Sequence, residues 1–311
     1  MVSNAEVLTR VPQTGRTFYG DKRVSIKEIV SKTGLEKAVS VGLKSIFGNI
    51  GLSQEGVLNT ISYCINSAKN CSSLVDYERD VHGFLEQNGV LERYNETKKD
   101  RASIRSEKVK KYLSGESVLD LGCGSGKIGA MVSRDGYKVT LADVYRNPSI
   151  DALGLPFYQI QDGQTLPFSD NSFDNILLLS MLHHTQNPEH TLDECKRVLK
   201  KDGRLNLIET VYGIPSEKES GSYGTDDSFF KSLSKEQQRK VSIFFDYFGN
   251  HVLDGYTTDP NKYIPVPFNL TTPDNLEQIF DKKGFKLISK ENLGIYPFSY
   301  NYHIHFVYSK K

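Results

Sequence analysis

Charge of one sign is scarce in this 311-residue chain: 39 Lys and Arg stand against 38 Asp and Glu, a formal net charge of +1. A general nucleic-acid binder needs an excess of Lys and Arg to displace counterions from phosphates, so the balance argues against one. Cysteine is sparse too. Cys64, Cys71, Cys123 and Cys195 show no C-x-x-C spacing and read as reduced thiols rather than a disulfide or zinc framework. Long apolar runs are missing. The longest, around Ile176–Leu182, falls short of the roughly 18 residues a membrane-spanning helix needs. The first residues, MVSNAEVLTRVPQTG, lack the continuous apolar stretch of a secretory signal, and a cytoplasmic protein is expected.

What is present fits a globular chain, 38% hydrophobic and 25% charged, long enough to bury a sizeable core. Three zones follow one another. Up to about residue 100, Val24–Val30, Leu35–Phe47 and Val57–Ala68 carry apolar residues at helical spacing, broken at Gly34, Gly48 and Gly51. Lys98–Lys111 is basic and reads as a solvated helix face with Ile104, Val109 and Leu113 turned inward. From Glu116 strands alternate with helices: Val118–Leu121, Lys138–Ala142, Pro156–Ile160, the aliphatic Asn175–Ser180, and Arg204–Glu209. Asn187 and Pro188 open a helix with Leu192, Cys195, Val198 and Leu199 inward, and Gly203 is expected to close it. This rhythm predicts a mostly parallel α/β sheet. It stops after Glu209, where a helix over Lys235–Phe248 is expected. It resumes with a helix over Pro273–Lys283 and strands near Lys286–Leu293 and Tyr302–Ser309, read as a closing β-hairpin.

The most informative stretch is Val118-Leu-Asp-Leu-Gly-Cys-Gly-Ser-Gly-Lys-Ile-Gly129. Gly122, Gly124 and Gly126 between strand and helix let the backbone turn tightly and a ligand press against it. A P-loop is excluded, because only three residues separate Gly122 from Gly126 and Ile128 replaces the magnesium-binding hydroxyl. Gly124-Ser-Gly126-Lys-Ile-Gly129 does fit the dinucleotide pattern, with Asp143 near the expected ribose acid. Asp120 separates the two readings: a carboxylate at the strand end repels pyrophosphate and welcomes an α-amino group or a sulfonium.

At these residues the chain resembles the class I S-adenosylmethionine-dependent methyltransferases, whose first motif is the Asp-Leu-Gly-Cys-Gly-Ser-Gly seen at 120–126. The resemblance is strong over 116–209 and extends to 273–309. It implies a Rossmann-like sheet with a terminal antiparallel hairpin, a helical N-terminal extension over 1–102, and a core over 103–311 with a cap inserted at about 211–270. It implies S-adenosylmethionine as donor and S-adenosylhomocysteine as product. Asp120, the backbone of Gly122, Cys123, Gly124 and Gly126, then Asp143, Val144, Asp162, Gly163 and Ser180 become the cofactor-binding set, with Asp143 on the ribose and Asp162 at the adenine edge. Leu166–Asp174 and Val198–Arg204 match the loops before the fourth and fifth strands, with Asp202 where the family more often has Pro.

Resembling small-molecule methyltransferases carry Leu-His-His after strand four, as in Ser180-Met-Leu-His-His184, so a histidine is a candidate base. The two rings are expected to point apart, with His183 favoured at the cleft and His184 close behind. Glu209, ending strand five, is read as polarising the acceptor or orienting a histidine. His303 and His305 share a face of the last strand, but with no third ligand in view no metal is expected. Residues 223–308 hold 18 of the 33 Phe and Tyr residues. Phe229, Phe230, Phe244, Phe245, Tyr247, Phe248, Tyr256, Tyr263 and Phe268 are read mainly as the core of the cap, Pro265-Val-Pro267 as its return to the sheet, and Tyr19 as a guess for the lid.

The leading reading is a small-molecule methyltransferase. An RNA or protein methyltransferase is the first alternative, resting on Lys98–Lys111 alone, since the Asp/Asn-Pro-Pro-Tyr/Phe motif is absent after strand four. An NAD(P) enzyme or a non-catalytic nucleoside binder is the second. The expected partner is a small methyl acceptor, with no membrane, nucleic acid disfavoured, and a homodimer left open.

Overall fold

The computed structural model describes residues 26–311 apart from 33, 258–265, 267, 268 and 297, with only the backbone at 98 and 99. Tyr19, Tyr263, Pro265, Pro267 and Phe268 therefore lie outside the described residues. The chain divides into two compact units. One comprises the described residues up to Lys98 with Thr210–Thr272 and Asn292–His303; the other comprises Lys99–Glu209, Pro273–Glu291 and Ile304–Lys311.

The second unit is built on a seven-stranded sheet. Its strands are β1 (Ser117–Leu121), β2 (Lys138–Asp143), β3 (Phe157–Gln159), β4 (Phe173–Leu179), β5 (Leu199–Thr210), β6 (Phe285–Ile295) and β7 (Tyr302–Lys310), in the order β3-β2-β1-β4-β5-β7-β6. The first five are parallel, and the terminal hairpin supplies the antiparallel strands. The family of aliphatic strands forms as expected: Leu119, Ile176, Leu177, Leu178, Leu205 and Leu207 are fully buried, as central parallel strands covered on both faces must be. The order reverses beside β1, which pairs β2 on one side and β4 on the other. Crevices outside the carboxyl ends of strands open at such a reversal.

Side chains lock this register. Asn175, fully buried on β4, accepts from Ser114 N (3.0 Å) and donates to Ser114 O (2.6 Å). Asp174 accepts from Glu116 N (3.1 Å), Ser117 N (3.0 Å) and Ser117 Oγ (2.7 Å). Although burial opposes it, these hydrogen bonds and Lys200 hold the Asp174 carboxyl well below its ordinary range. The chain entering β1 is thus fastened to β4 before the glycine loop begins.

Two local expectations are corrected. Gly203 does not close a helix. Helix α8 (Pro188–Val198), capped by the Asn187 side chain accepting from His190 N, passes directly into β5 at Leu199. Leu199 pairs with Phe173 and Arg204 with Asn175, so residues 200–203 bulge. A Cβ on Gly203 would lie 2.9 Å from Asp174 O and 2.7 Å from Leu199 Cδ1, which is why glycine stands there. In α6 (Lys98–Lys110) Val109 is fully buried, but Ile104 is 37% exposed. The basic residues that follow are engaged within the fold: Lys108 pairs with Glu291 (2.5 Å), and Lys110 with Asp135 (2.7 Å) and Glu107 (3.1 Å).

The first unit contains α1 (Ile26–Ser31), α2 (Leu35–Asn49), α3 (Gln54–Asn70), α4 (Leu74–Gln87) and α5 (Val90–Glu96), with α9 (Ser228–Ser232) and α10 (Lys235–Phe248) from the segment after β5. Helix α4 escaped the sequence reading. Its signal was present: Ser73 accepts from Asp76 N, ahead of apolar Tyr77, Val81 and Leu85. The aromatic residues pack on one another, with Phe244 stacked on Phe248 (5.7 Å) and Phe47 edge-on to Phe248 (6.5 Å). Phe230, Phe244, Phe245, Tyr247 and Phe248 are buried, so they form this unit's own core. Gly42 in α2 is required there, because a Cβ would meet the Phe245 ring at 2.3 Å.

Replacing Asn175 by Leu should leave both peptide groups of Ser114 unmet and lower unfolding free energy by roughly 1–3 kcal/mol. Urea denaturation followed by circular dichroism measures this; an unchanged midpoint would show that the clasp is dispensable.

Candidate active site

The three loop glycines share a positive φ, at +73° for Gly122, +54° for Gly124 and +70° for Gly126, which explains why this turn excludes side chains. Their surroundings differ. A Cβ on Gly122 would collide with Met181, and one on Gly126 with Leu153 and Leu141. Only Gly124 faces open space, with nothing within 4 Å. Gly122 and Gly126 are thus small for the fold, and of the three Gly124 alone leaves room for a Cβ.

Asp143, at the end of β2, closes over that point. Its Oδ2 accepts from Gly124 N (2.7 Å) and its Oδ1 from Tyr145 N (3.2 Å). Burial raises the carboxyl from its ordinary value, and these N–H groups partly offset it. Each carboxylate oxygen accepts two hydrogen bonds, so acceptor capacity for hydroxyls remains. Val144 beside it is 47% exposed, an apolar surface at the strand end.

Asp120 is 3% exposed, and its Oδ2 accepts from Gly129 N (3.1 Å) in the first turn of α7 (Lys127–Arg134). One oxygen therefore serves the helix N-terminus rather than a ligand. Gly129 is small for the same contact, since a Cβ would lie 2.9 Å from Asp120 Oδ2 and 2.5 Å from Leu141 Cδ2. Burial pushes the Asp120 carboxyl up to about 7; the Gly129 N–H opposes this and Asp143 adds to it. Cys123 lies beside them with its thiol pushed up by burial, so it stays protonated.

Asp162 Oδ2 accepts from Gln186 N (2.7 Å), and Gly163 follows at φ +73° in the turn. Ser180, immediately after β4, is held at φ +56°, a strained conformation for a residue with a side chain. Its amide donates to Ile208 O (2.7 Å), while its buried Oγ has no hydrogen-bond partner. A buried and a half-buried carboxylate, an open glycine and an orphaned hydroxyl suit a ligand with cationic and hydroxyl groups. These residues fit S-adenosylmethionine.

Beyond Ser180 the chain makes a 3-10 turn over Leu182–His184. His183 is buried and its Nδ1 is hydrogen-bonded to Glu209 Oε1, at the end of β5. His184 is half-buried, with its ring centroid 4.1 Å from that of His183 and the planes 42° apart. The expected divergence of the two imidazoles is corrected, because a 3-10 turn rotates successive side chains by roughly 120° rather than 180°. His303 and His305 are buried elsewhere. His303 meets Thr210 Oγ1 (3.3 Å) and Asn301 O (2.9 Å), and His305 Nε2 meets Asn206 Oδ1 (3.1 Å). Burial lowers His305 to about 4, so it is neutral.

Above its folded-state value Asp120 must ionise in a buried setting, whereas in the unfolded chain it ionises near pH 4. Its contribution to stability therefore falls as pH rises from about 4 to about 7. Asp120→Asn should raise Tm at pH 8 and leave it unchanged at pH 3.5 while weakening cofactor binding; equal Tm values at pH 8 would contradict the buried charge. Asp143→Ala should abolish calorimetric binding of S-adenosylhomocysteine, and retained affinity would remove Asp143 from the site.

Residues 119–207 match the family model of a methyltransferase domain. The chain is 33% identical over 108 residues to methyltransferase GfsG of Streptomyces halstedii, covering 32% of this chain and 39% of that protein. It is 27% identical over 144 residues to a ubiquinone biosynthesis O-methyltransferase of Nitrosococcus oceani, covering 43% of this chain and 59% of that one. These curated relatives are thus matched over well under two thirds of their length. Among solved structures it is similar to 1,6-didemethyltoxoflavin-N1-methyltransferase of Burkholderia thailandensis, with TM-score 0.47, 15% identity, and coverage of 78% of this chain and 92% of that chain. The glycine loop and the strand order agree with the matched family model: residues 119–207 are similar to a methyltransferase domain, on a Rossmann-like α/β sheet.

Proposed function

We propose that the protein transfers a methyl group from S-adenosylmethionine to a small-molecule acceptor, with His183 as general base and Glu209 orienting it. The observation that carries this reading is the buried His183–Glu209 pair at the carboxyl ends of β4 and β5. The names of matched relatives, GfsG methyltransferase and ubiquinone biosynthesis O-methyltransferase, support a small acceptor.

S-adenosylmethionine, when bound, supplies a methyl carbon on a sulfonium that is already electrophilic. Little is then required of the chain beyond alignment and a proton sink. Glu209 is hydrogen-bonded to His183 Nδ1, which fixes the ring's orientation. With the donor bound, an acceptor O–H or N–H would give its proton to the His183 ring, leaving the acceptor lone pair to take the methyl group that the donor supplies, with S-adenosylhomocysteine departing. The resulting imidazolium faces the Glu209 carboxylate, which stabilises it. Asp143 and Asp162 are assigned to the ribose and the adenine edge, and Val144 to the flat face of the base.

His183→Ala should leave S-adenosylhomocysteine affinity within about twofold and lower turnover by roughly 10²–10⁴ on a hydroxyl or amine acceptor. Unchanged turnover would exclude His183 as base. A thermal shift with NAD(P) but none with S-adenosylhomocysteine would overturn the methyltransferase reading.

A further inference from the structure

Met181 links two parts of the site, its side chain reaching one and its main chain opening the other. A Cβ on Gly122 would lie 2.7 Å from Met181 Cβ, 2.9 Å from its Cγ and 3.1 Å from its Cε. The whole thioether side chain is therefore laid along the bare face of the first loop glycine. The main chain of Met181 meanwhile begins the histidine turn, its carbonyl accepting from His184 N (2.9 Å), with Leu182 and His183 following directly.

Each part is anchored separately. The glycine loop hangs from β2, where Gly122 N (2.8 Å) and Cys123 N (3.2 Å) both donate to Ala142 O. The histidine turn hangs from β5 through Ser180 N on Ile208 O (2.7 Å) and through Glu209 on His183. Between these anchors Ser180 adopts φ +56°, a conformation that persists only where its surroundings enforce it. Packing of Met181 on Gly122 is a contact that joins the loop to this strained turn.

We propose that Met181 is a positioning residue, transmitting the seating of the glycine loop around the donor to the imidazole of His183. The proposal rests on the reading of 122–126 as the donor loop and of His183 as the base. Because Met is long, unbranched and adaptable, it follows small loop movements without losing contact.

Two nuclear magnetic resonance measurements on the full chain test this, with S-adenosylhomocysteine as probe. In the parent protein, which has three methionines, the Met181 methyl resonance should move when S-adenosylhomocysteine binds. In Met181→Ala the change in the His183 ring resonance caused by S-adenosylhomocysteine should shrink about fivefold, and kcat should fall about tenfold with little change in donor KM. Met181→Leu, close in volume, should keep both near the parent values. A stationary Met181 methyl in the parent, or an undiminished His183 response in Met181→Ala with the probe bound, would overturn the positioning role alone. Failure of the parent to bind S-adenosylhomocysteine would overturn the methyltransferase reading and this role with it.

Discussion

The site depends on the parallel pairing of β1 with β2 on one side and β4 on the other. Register places Leu121 against Ala142 and against Leu178, so three strands end at one level. Strand ends at one level put Asp120, Asp143 and Ser180 at the head of one crevice, although 60 residues separate the first from the last. Nothing local to the glycine loop would achieve this. The Asp174 and Asn175 clasp at the opposite end of β1 serves the same register, since a slip by one residue would turn every side chain to the other face.

The second constraint is electrostatic. Asp120 is buried and Asp143 half-buried beside the glycine loop, and each is raised from its ordinary value. Such an arrangement disfavours the empty fold at neutral pH and favours a ligand that brings positive charge. A stability optimum would replace Asp120 with an amide; a site for a sulfonium-bearing donor keeps the acid. Strain at Ser180 belongs to the same trade, because relaxing φ there would redirect the histidine turn.

Much of this was legible in the sequence. The alternation of aliphatic strands and amphipathic helices, the Asn187-Pro188 cap and the helix over Lys235–Phe248 follow from periodicity and capping, which act over a few residues. The acid–glycine spacing at 120–126 pointed to the loop. Less legible was the purpose of each glycine. Gly122, Gly126 and Gly203 are small because of Met181, Leu153 and Asp174, residues 27 to 59 positions away, and no local pattern records such contacts. Gly203 misled for that reason: after an amphipathic helix a glycine reads as a stop, while here it fits a bulge against β4. The adjacency of His183 and His184 was equally hidden, since the choice between extended chain and 3-10 turn is made by the anchors on β5.

The sequence by itself determined the local grammar: which segments become strands, where the chain must turn with positive φ, and which carboxylates stand at strand ends. These depend on backbone sterics and on hydrophobic spacing over one or two turns. Only tertiary structure decided which carboxylate oxygen faces the helix, that Glu209 meets His183, and that Gly124 alone is open. Those outcomes are set by contacts between strands distant in sequence, where register and packing act on the whole sheet at once.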